Sequence, residues 1–274
     1  MSQRNSQAAK TAARERLRQE REREAKRAKT KRQVVVAVSV VAGLAIAGGV
    51  AYGIAQANKP SAWEAAETAK LVAPANTEGK NGLNVVIGEA GAKKTLAVYE
   101  DPRCPVCAAF EQSVGETLRK GMEDGKYKVQ FVGATFLDGN LTGEGSKNAL
   151  SALGAALDVS PEAFLDYKAA LYSAKFHPEE STDKFADDDY LVKIANSVDA
   201  LKGNKDFEKD VTDGTFDRWA LEMSKKFNSD GEKYGFKGTP SLVMDGKIVT
   251  DANGQNAPMT AEDFTTAIDK ALKG

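Results

Sequence analysis

The two cysteines of this 274-residue chain lie in one short segment, Cys104-Pro105-Val106-Cys107. Residues 94–99, just upstream, are rich in β-formers and predict a strand. Residues 108–118, just downstream, carry apolar side chains at helical spacing. The pair therefore falls at a strand-to-helix turn, where proline suits the first helical turn and the helix N-terminus lowers the pKa of a thiol. This pattern indicates a redox-active dithiol.

Less reactive interpretations of the pair are weaker. Structural zinc needs four nitrogen or sulfur ligands, and the chain has no third cysteine and a single histidine, His177. A structural disulfide stabilises chiefly by closing a long loop in the unfolded chain, and this one would close almost none. A pair of ordinary buried thiols stays open as an alternative, although both flanking segments argue against it. We expect no metal site and no cofactor.

Two segments, in a fixed order, resemble a known family. Residues 99–107, Tyr-Glu-Asp-Pro-Arg-Cys-Pro-Val-Cys, resemble the active-site segment of DsbA-like thioredoxin-fold proteins, the thiol-disulfide oxidoreductases of the bacterial cell envelope. Residues 238–247 resemble the cis-proline loop of that family, the strand after it and a hairpin turn. The resemblance covers residues 83–274 and implies an α/β thioredoxin fold with a helical insertion at about residues 141–230.

The two thiols are expected to have different roles. Cys104 precedes the helix and is predicted to be the nucleophile, with the backbone N–H groups of Val106 and Cys107 holding its thiolate. Cys107 lies one turn into the helix and is predicted to be the buried resolving thiol. Arg103 is expected to add positive potential, which acidic neighbours such as Glu100 oppose. The thiolate environment is therefore made of Arg103, Pro105 and Val106 together with Glu100.

The resemblance implies substrate-binding residues, and the sequence departs from the family pattern at two positions. It implies that the Thr239-Pro240 bond is cis and lies beside the cysteines, and that the backbone of Thr239 pairs with the substrate chain. Val106 stands where DsbA itself has a histidine that stabilises the thiolate, so a less oxidising couple is expected. Val98 stands where many thioredoxin-like proteins place a buried carboxylate, and whether Glu100 replaces it as a proton acceptor stays open.

The N-terminal region combines a basic segment with an apolar one. Residues 1–33 hold twelve Lys and Arg against four Glu, whereas residues 34–55 carry no charge. At about 1.5 Å per residue the uncharged run reaches about 33 Å, enough to cross a bilayer. Because positive flanks stay in the cytoplasm, we predict a single transmembrane helix over residues 34–55, with the N-terminus cytoplasmic and the C-terminal domain extracytoplasmic.

A cleaved signal peptide is the alternative to this anchor. Ala55-Gln56-Ala57 fits a small-residue cleavage pattern, although the apolar run and the basic segment are both longer than in most signal peptides. The basic segment is expected to be attracted to acidic lipid headgroups. Nucleic-acid binding by this tail is disfavoured, because its charge pattern is unspecific.

The remainder of the chain is predicted to be a linker, residues 56–82, followed by the DsbA-like domain, residues 83–274. The linker contains one possible helix over 62–71. We expect strands over 83–88, 95–99, 128–134, 241–244 and 247–250, and helices over 104–123, 146–157, 161–173, 187–202, 215–227 and 260–272. His177 falls in a connecting loop and is given no role.

These features predict a membrane-anchored, extracytoplasmic thiol-disulfide oxidoreductase that promotes disulfide formation in exported proteins. The expected partners are exported proteins with thiols or disulfides, a membrane redox partner that resets the cysteines, and the lipid bilayer. Two alternatives remain. One is an envelope disulfide reductase or isomerase fed by a membrane electron carrier. The other is a non-catalytic thioredoxin-like binding module, against which the intact cysteine pair and Pro240 argue.

Overall fold

The computed structural model describes residues 61–273 and, in the N-terminal region, four exposed helical residues, Arg18, Arg21, Arg23 and Lys26. The chain divides into two units, Met1–Pro60 and Ser61–Gly274. The predicted membrane span, residues 34–55, lies outside the described residues. None of the helices formed by the described residues has the length and apolar character that a membrane crossing requires. Elements are numbered from Ser61 onward.

Within residues 61–273, five strands form one mixed sheet. They are β1 Val85–Ile87, β2 Thr95–Glu100, β3 Lys128–Gly133, β4 Ser241–Met244 and β5 Lys247–Ile248. Their spatial order is β1-β3-β2-β4-β5. β2 runs parallel to β3 and antiparallel to β4, whereas β1 and β5 pair antiparallel at the two edges. The α/β architecture predicted from the sequence is confirmed for this part of the chain.

Helices cover the sheet and fill the long connection between β3 and β4. They are α1 Ala62–Thr68, α2 Pro105–Glu123, α3 Phe136–Leu141, α4 Gly145–Val159, α5 Pro161–Tyr172, α6 Asp188–Ala195, α7 Lys205–Asp213, α8 Asp217–Tyr234 and α9 Ala261–Lys273, with 3₁₀ turns at Lys80–Gly82 and Lys184–Ala186. The helices α3 to α8 form the predicted insertion. The insertion extends further than predicted at both ends, because α3 begins at Phe136 and α8 ends at Tyr234.

The central strand β2 leads directly to the cysteines and is almost fully buried. Leu96, Val98 and Tyr99 each expose 1% of their surface or less. Val98 is paired with Phe131 of β3 on one side and Leu242 of β4 on the other. A strand held on both edges and covered on both faces is a rigid base, so the turn that follows starts from a fixed position.

The helix α2 begins at the cysteine pair. Cys104 is its N-cap residue and Pro105 occupies the first turn, where the missing N–H costs nothing. One stripe of the helix is buried, and it comprises Cys107, Phe110, Val114, Leu118 and Met122. Burying each large apolar side chain of this stripe contributes about 1.5–3 kcal/mol. The helix ends at Asp124-Gly125, as predicted, with Gly125 in the left-handed region at a φ of 72°.

One predicted helix of the insertion extends too far, and two helices of the insertion, α3 and α7, were not predicted. The helix expected over residues 187–202 ends at Ala195, because the chain turns back and the Asn196 side chain accepts a hydrogen bond from the Gly203 N–H at 3.0 Å. The helix α7 is short and mostly charged, and its buried residues are Phe207 and Val211, one turn apart.

Residues 61–82, predicted as part of a linker, pack on the domain. The short helix α1 is closed by a capping box between Ser61 and Glu64, and it buries Trp63. The indole N–H of Trp219 in α8 donates to the carbonyl of Gly82 at 2.9 Å. The domain therefore begins near Ser61 rather than residue 83, because α1 has an apolar side that needs cover.

Candidate active site

The turn between β2 and α2 is held by a buried carboxylate. The Cys104 N–H donates to the Asp101 carbonyl at 2.9 Å, which closes the turn. Asp101 Oδ1 accepts from the Arg103 N–H at 3.0 Å and from the Ser146 hydroxyl at 2.6 Å, while Oδ2 accepts from the Leu137 N–H at 3.2 Å. Burial raises the pKa of Asp101 to about 7, against these hydrogen bonds. The carboxylate thus ties the cysteine turn to the helical insertion.

The two cysteines are free thiols with opposite electrostatic environments. Cys104 has its pKa lowered to about 6, first by a hydrogen bond from Cys107, against the effect of burial, and then by Thr239 and the backbone N–H groups of Cys107 and Val106. Burial raises the pKa of Cys107 well above its usual range, and the hydrogen bond to Cys104 adds to this. At neutral pH Cys104 is therefore a thiolate and Cys107 a protonated thiol, which is compatible with a nucleophilic Cys104 and a resolving Cys107.

The proline loop lies beside the nucleophile. The Thr239-Pro240 bond is cis, as predicted. The Cys104 thiol reaches the Thr239 carbonyl, with 3.6 Å between sulfur and oxygen. The Thr239 hydroxyl is buried and lacks a hydrogen-bond partner of normal length, yet it lies near enough to both sulfurs to lower the pKa of each. Thr239 therefore contacts the thiol pair with its backbone and side chain.

Arg103 does not have the environment that was expected. Its side chain is 2% exposed, and Nη1 pairs with Asp138 at 3.0 Å and Asp183 at 3.1 Å. Nη2 donates to the Glu180 carbonyl at 3.3 Å. The guanidinium is thus compensated by carboxylates of the insertion, and the leading causes of the low Cys104 pKa do not include it. Arg103 anchors the turn, and the expected direct effect on the thiolate has no contact to support it.

Glu100, at the end of β2, belongs to a buried charge cluster. The Lys168 ammonium from α5 lies 2.9 Å from Glu100 and 2.5 Å from Glu111 of α2. Burial raises the pKa of Glu100 to about 7, although Lys168 opposes the rise. Burial acts to lower the pKa of Lys168, but the two carboxylates outweigh it and raise it. The Glu100 charge in turn raises the pKa of Cys107, so Glu100 belongs to the thiol environment as predicted.

Two functional neighbours were missed, and both come from the insertion. Tyr172, at the end of α5, is 2% exposed and packs in one apolar cluster with Cys104, Cys107, Ala108 and Leu137. His177 stacks on Tyr172 with ring centroids 6.0 Å apart, and its Nε2 lies 3.1 Å from the Pro102 carbonyl. His177 is therefore a part-buried neighbour of the cysteine turn rather than a free loop residue.

A groove adjoins the thiol pair on the proline side. Its wall includes Val106, Thr239, Pro240, Ile248 and Met259. Val106 is 49% exposed, so its side chain faces this open side rather than the core. Among the described residues, no group of three or more His, Cys, Asp or Glu side chains is placed to hold a metal ion.

A strand, a Cys-X-X-Cys pair at a helix N-terminus and a facing cis-proline define a thioredoxin-fold protein with a dithiol site. A family model described as Thioredoxin matches residues 80–270. The chain belongs to this thioredoxin family.

Known relatives are similar over most of the domain. The chain is 26% identical to the serine/threonine-protein kinase PknE of Mycobacterium tuberculosis over 179 residues, which cover 61% of this chain and 29% of the kinase. The chain thus spans less than a third of that relative's length. It is 24% identical to disulfide bond formation protein D of Bacillus subtilis over 191 residues, which cover 69% of this chain and 77% of that protein.

Solved structures share the fold. MdbA, a thiol-disulfide oxidoreductase from Actinomyces oris, superposes with a TM-score of 0.57 at 20% identity, covering 75% of this chain and 94% of that one. DsbA of Mycobacterium tuberculosis, in its oxidised form, superposes with a TM-score of 0.51 at 21% identity, covering 69% and 98%. At these identities the likeness establishes the architecture.

Proposed function

We propose that this protein is a thiol-disulfide oxidoreductase that introduces disulfides into exported proteins. The observation that carries the proposal is the arrangement of the thiol pair: a low-pKa Cys104 at the start of α2, a buried high-pKa Cys107 one turn on, and the Thr239 carbonyl 3.6 Å from the first sulfur. A non-catalytic binding module needs none of this asymmetry.

In the proposed reaction the oxidised protein carries a Cys104–Cys107 disulfide. A substrate thiolate attacks Cys104 Sγ, the disulfide breaks, and Cys107 leaves as a thiolate that takes up a proton. A second substrate thiolate attacks the substrate sulfur of this mixed disulfide, and Cys104 leaves as a thiolate. The substrate has then lost two electrons and two protons. The pair has gained the electrons and one proton, and the other proton goes to solvent.

The low pKa of Cys104 favours this direction. A stabilised thiolate stabilises the reduced pair, and a pair with a stable reduced form is a stronger oxidant. A low-pKa thiolate is also the better leaving group in the second step. Glu100, with a pKa of about 7 and electrostatic coupling to both sulfurs, is the group best matched to supply the proton that Cys107 takes up.

Substrate binding is proposed at the proline loop. An extended substrate chain pairs with the backbone of Thr239 in the manner of an added strand, and its neighbouring side chains lie in the groove beside Val106 and Pro240. In the free reduced protein the Thr239 carbonyl lies 3.6 Å from Cys104 Sγ. A substrate chain that pairs with this backbone therefore lies directly beside the nucleophile.

The assay that tests the direction compares oxidation of reduced ribonuclease with reduction of insulin, using the same protein preparation. We expect oxidation to dominate and Cys104→Ser to abolish it. Cys107→Ser should accumulate mixed disulfides with substrate, because the resolving thiol is gone. Dominant insulin reduction would favour the reductase alternative, and inactivity in both assays would favour the binding module.

We further propose that residues 34–55 anchor the protein in the cytoplasmic membrane, with the domain outside and a membrane redox partner resetting the cysteines. The support is the uncharged run after a segment with twelve Lys and Arg against four Glu. A reporter enzyme active only outside the cytoplasm should work when fused after Gly274 and stay silent after Arg32. The reverse pattern would overturn this orientation, and release of the domain from the membrane would favour the cleaved signal peptide.

A further inference from the structure

The peptide group between Pro102 and Arg103 is held at both of its ends. It is the central peptide of the turn that the Cys104 N–H closes on the Asp101 carbonyl. Its N–H donates to Asp101 Oδ1 at 3.0 Å. Its carbonyl lies 3.1 Å from Nε2 of His177, the donor that the described residues supply to it.

The geometry of the His177 ring is set by the insertion. The ring stacks on Tyr172 at an interplanar angle of 18° and meets the edge of Phe185, with centroids 5.9 Å apart. Because a carbonyl oxygen can only accept a hydrogen bond, Nε2 carries the hydrogen. Burial lowers the pKa of His177, so the neutral imidazole makes this bond at neutral pH.

Orientation of this peptide decides the shape of the turn. Rotation of the central peptide by about 180° is what separates type I from type II turns, so the direction of the Pro102 carbonyl distinguishes the two conformations. Pro102 is itself buried, so a carbonyl left without a donor there would lose its hydrogen bond without gaining water. Arg103 supplies the N–H of this peptide group, and the next residue in the chain is the nucleophile, Cys104.

We infer that His177 is a positioning residue for Cys104: by holding the Pro102 carbonyl, it selects one turn conformation and thereby fixes where the Cys104 sulfur lies at the start of α2. In that conformation the sulfur meets the N–H groups of Val106 and Cys107 and the loop at Thr239. Without this bond the turn is no longer restricted to that conformation, and Cys104 is not held against these donors. The insertion thus acts on the chemistry of the pair through one side chain. This inference rests on the proposed role of Cys104.

Three substitutions separate the hydrogen bond from the packing. His177→Phe keeps a ring against Tyr172 but removes the donor, whereas His177→Gln keeps a donor without the ring. Tyr190→Phe removes a different bond of the same segment, the 2.6 Å bond from the tyrosine hydroxyl to the Phe176 carbonyl. Each reduced variant is titrated by ultraviolet thiolate absorbance and equilibrated with glutathione, and denaturant unfolding verifies that it is folded.

For folded His177→Phe we expect a higher Cys104 pKa and an equilibrium with glutathione about three- to tenfold less oxidising, the range of one hydrogen bond. In His177→Gln the Cys104 pKa should return most of the way to its wild-type value, and Tyr190→Phe should resemble wild type. The inference would be overturned by a wild-type Cys104 pKa in His177→Phe. It would also be overturned if His177→Gln or Tyr190→Phe raised this pKa as much as His177→Phe does. Peptide mapping after alkylation reports separately on the proposed function: if Cys107 reacts first, it is the assignment of Cys104 that fails.

Discussion

The hydrogen bond from Cys107 to Cys104 offers the sharpest test of how the site works. It is the largest contribution that lowers the Cys104 pKa, ahead of Thr239 and the helix N-terminal N–H groups. Replacing Cys107 with alanine removes this donor. Replacing it with serine keeps an O–H donor at nearly the same place. The two variants remove the same resolving thiol, so they differ only in the hydrogen bond.

The size of the effect follows from the chemistry of the donor. Hydrogen bonds to charged groups contribute about 1.5–3 kcal/mol, and a thiol is a weak donor, so the lower end applies. One pKa unit corresponds to about 1.4 kcal/mol. We therefore expect Cys107→Ala to raise the Cys104 pKa from about 6 to about 7. Cys107→Ser should stay at or below the wild-type value.

The assay is the pH dependence of alkylation of Cys104, the one thiol left in each variant. The midpoints of the profiles must be compared rather than the rates. A lower pKa gives more thiolate but a less nucleophilic one, so the two effects on the rate partly cancel. Thiolate absorbance gives the same midpoint independently. Equal midpoints near 6 for alanine and serine would refute the reasoning and leave the helix N-terminus and the proline loop as the cause.

Three further substitutions, one of them with a matched control, test other parts of the site. Val106→His, at an exposed position, should lower the nucleophile pKa and make the disulfide more oxidising, by about 30 mV for each 1.4 kcal/mol, measured against glutathione. Thr239→Val should raise the nucleophile pKa, yet leave the unfolding free energy equal or higher at about pH 5, where Cys104 is protonated, since it removes a buried hydroxyl without a hydrogen-bond partner of normal length. Lys168→Met should lower the free energy of unfolding by about 3–5 kcal/mol at about pH 8, measured with denaturant. The loss should become smaller as the pH falls, because the buried carboxylate partners of Lys168, one of which has a pKa of about 7, then protonate. Lys120→Met, which removes an exposed pair, should cost under about 0.5 kcal/mol at either pH, and an equal loss in both variants would contradict the argument.

Local motifs predict those parts of the site that depend on neighbouring residues in the chain. The position of Cys104 at a helix start follows from its flanks, and the cis bond before Pro240 follows from the resemblance of its loop. Lys168 left a weaker signal. It sits in the apolar stripe of α5 with Phe164, Tyr167 and Leu171, so a buried charge could have been suspected there. Its carboxylate partners could not be named from the stripe alone.

The rest depends on contacts between distant segments. Glu100 and Glu111 are 68 and 57 residues from Lys168 along the chain. Arg103 was misjudged because the sequence shows its charge next to Cys104 but not the carboxylates that compensate it. His177 was dismissed because a histidine between connecting residues has no periodic pattern, and its partner is a backbone carbonyl that any residue possesses.

The distance along the chain between Cys104 and its partners has a consequence for biogenesis. Pro102 and His177 are 75 residues apart, and Cys104 and Thr239 are 135 apart. At a synthesis rate of about 5–20 residues per second, the proline loop appears about 7 to 27 s after the nucleophile. Until then Cys104 lacks the loop that helps to lower its pKa and is closer to an ordinary thiol, protonated and slow to exchange. The order of the segments thus delays the full lowering of the Cys104 pKa until the proline loop has been synthesised.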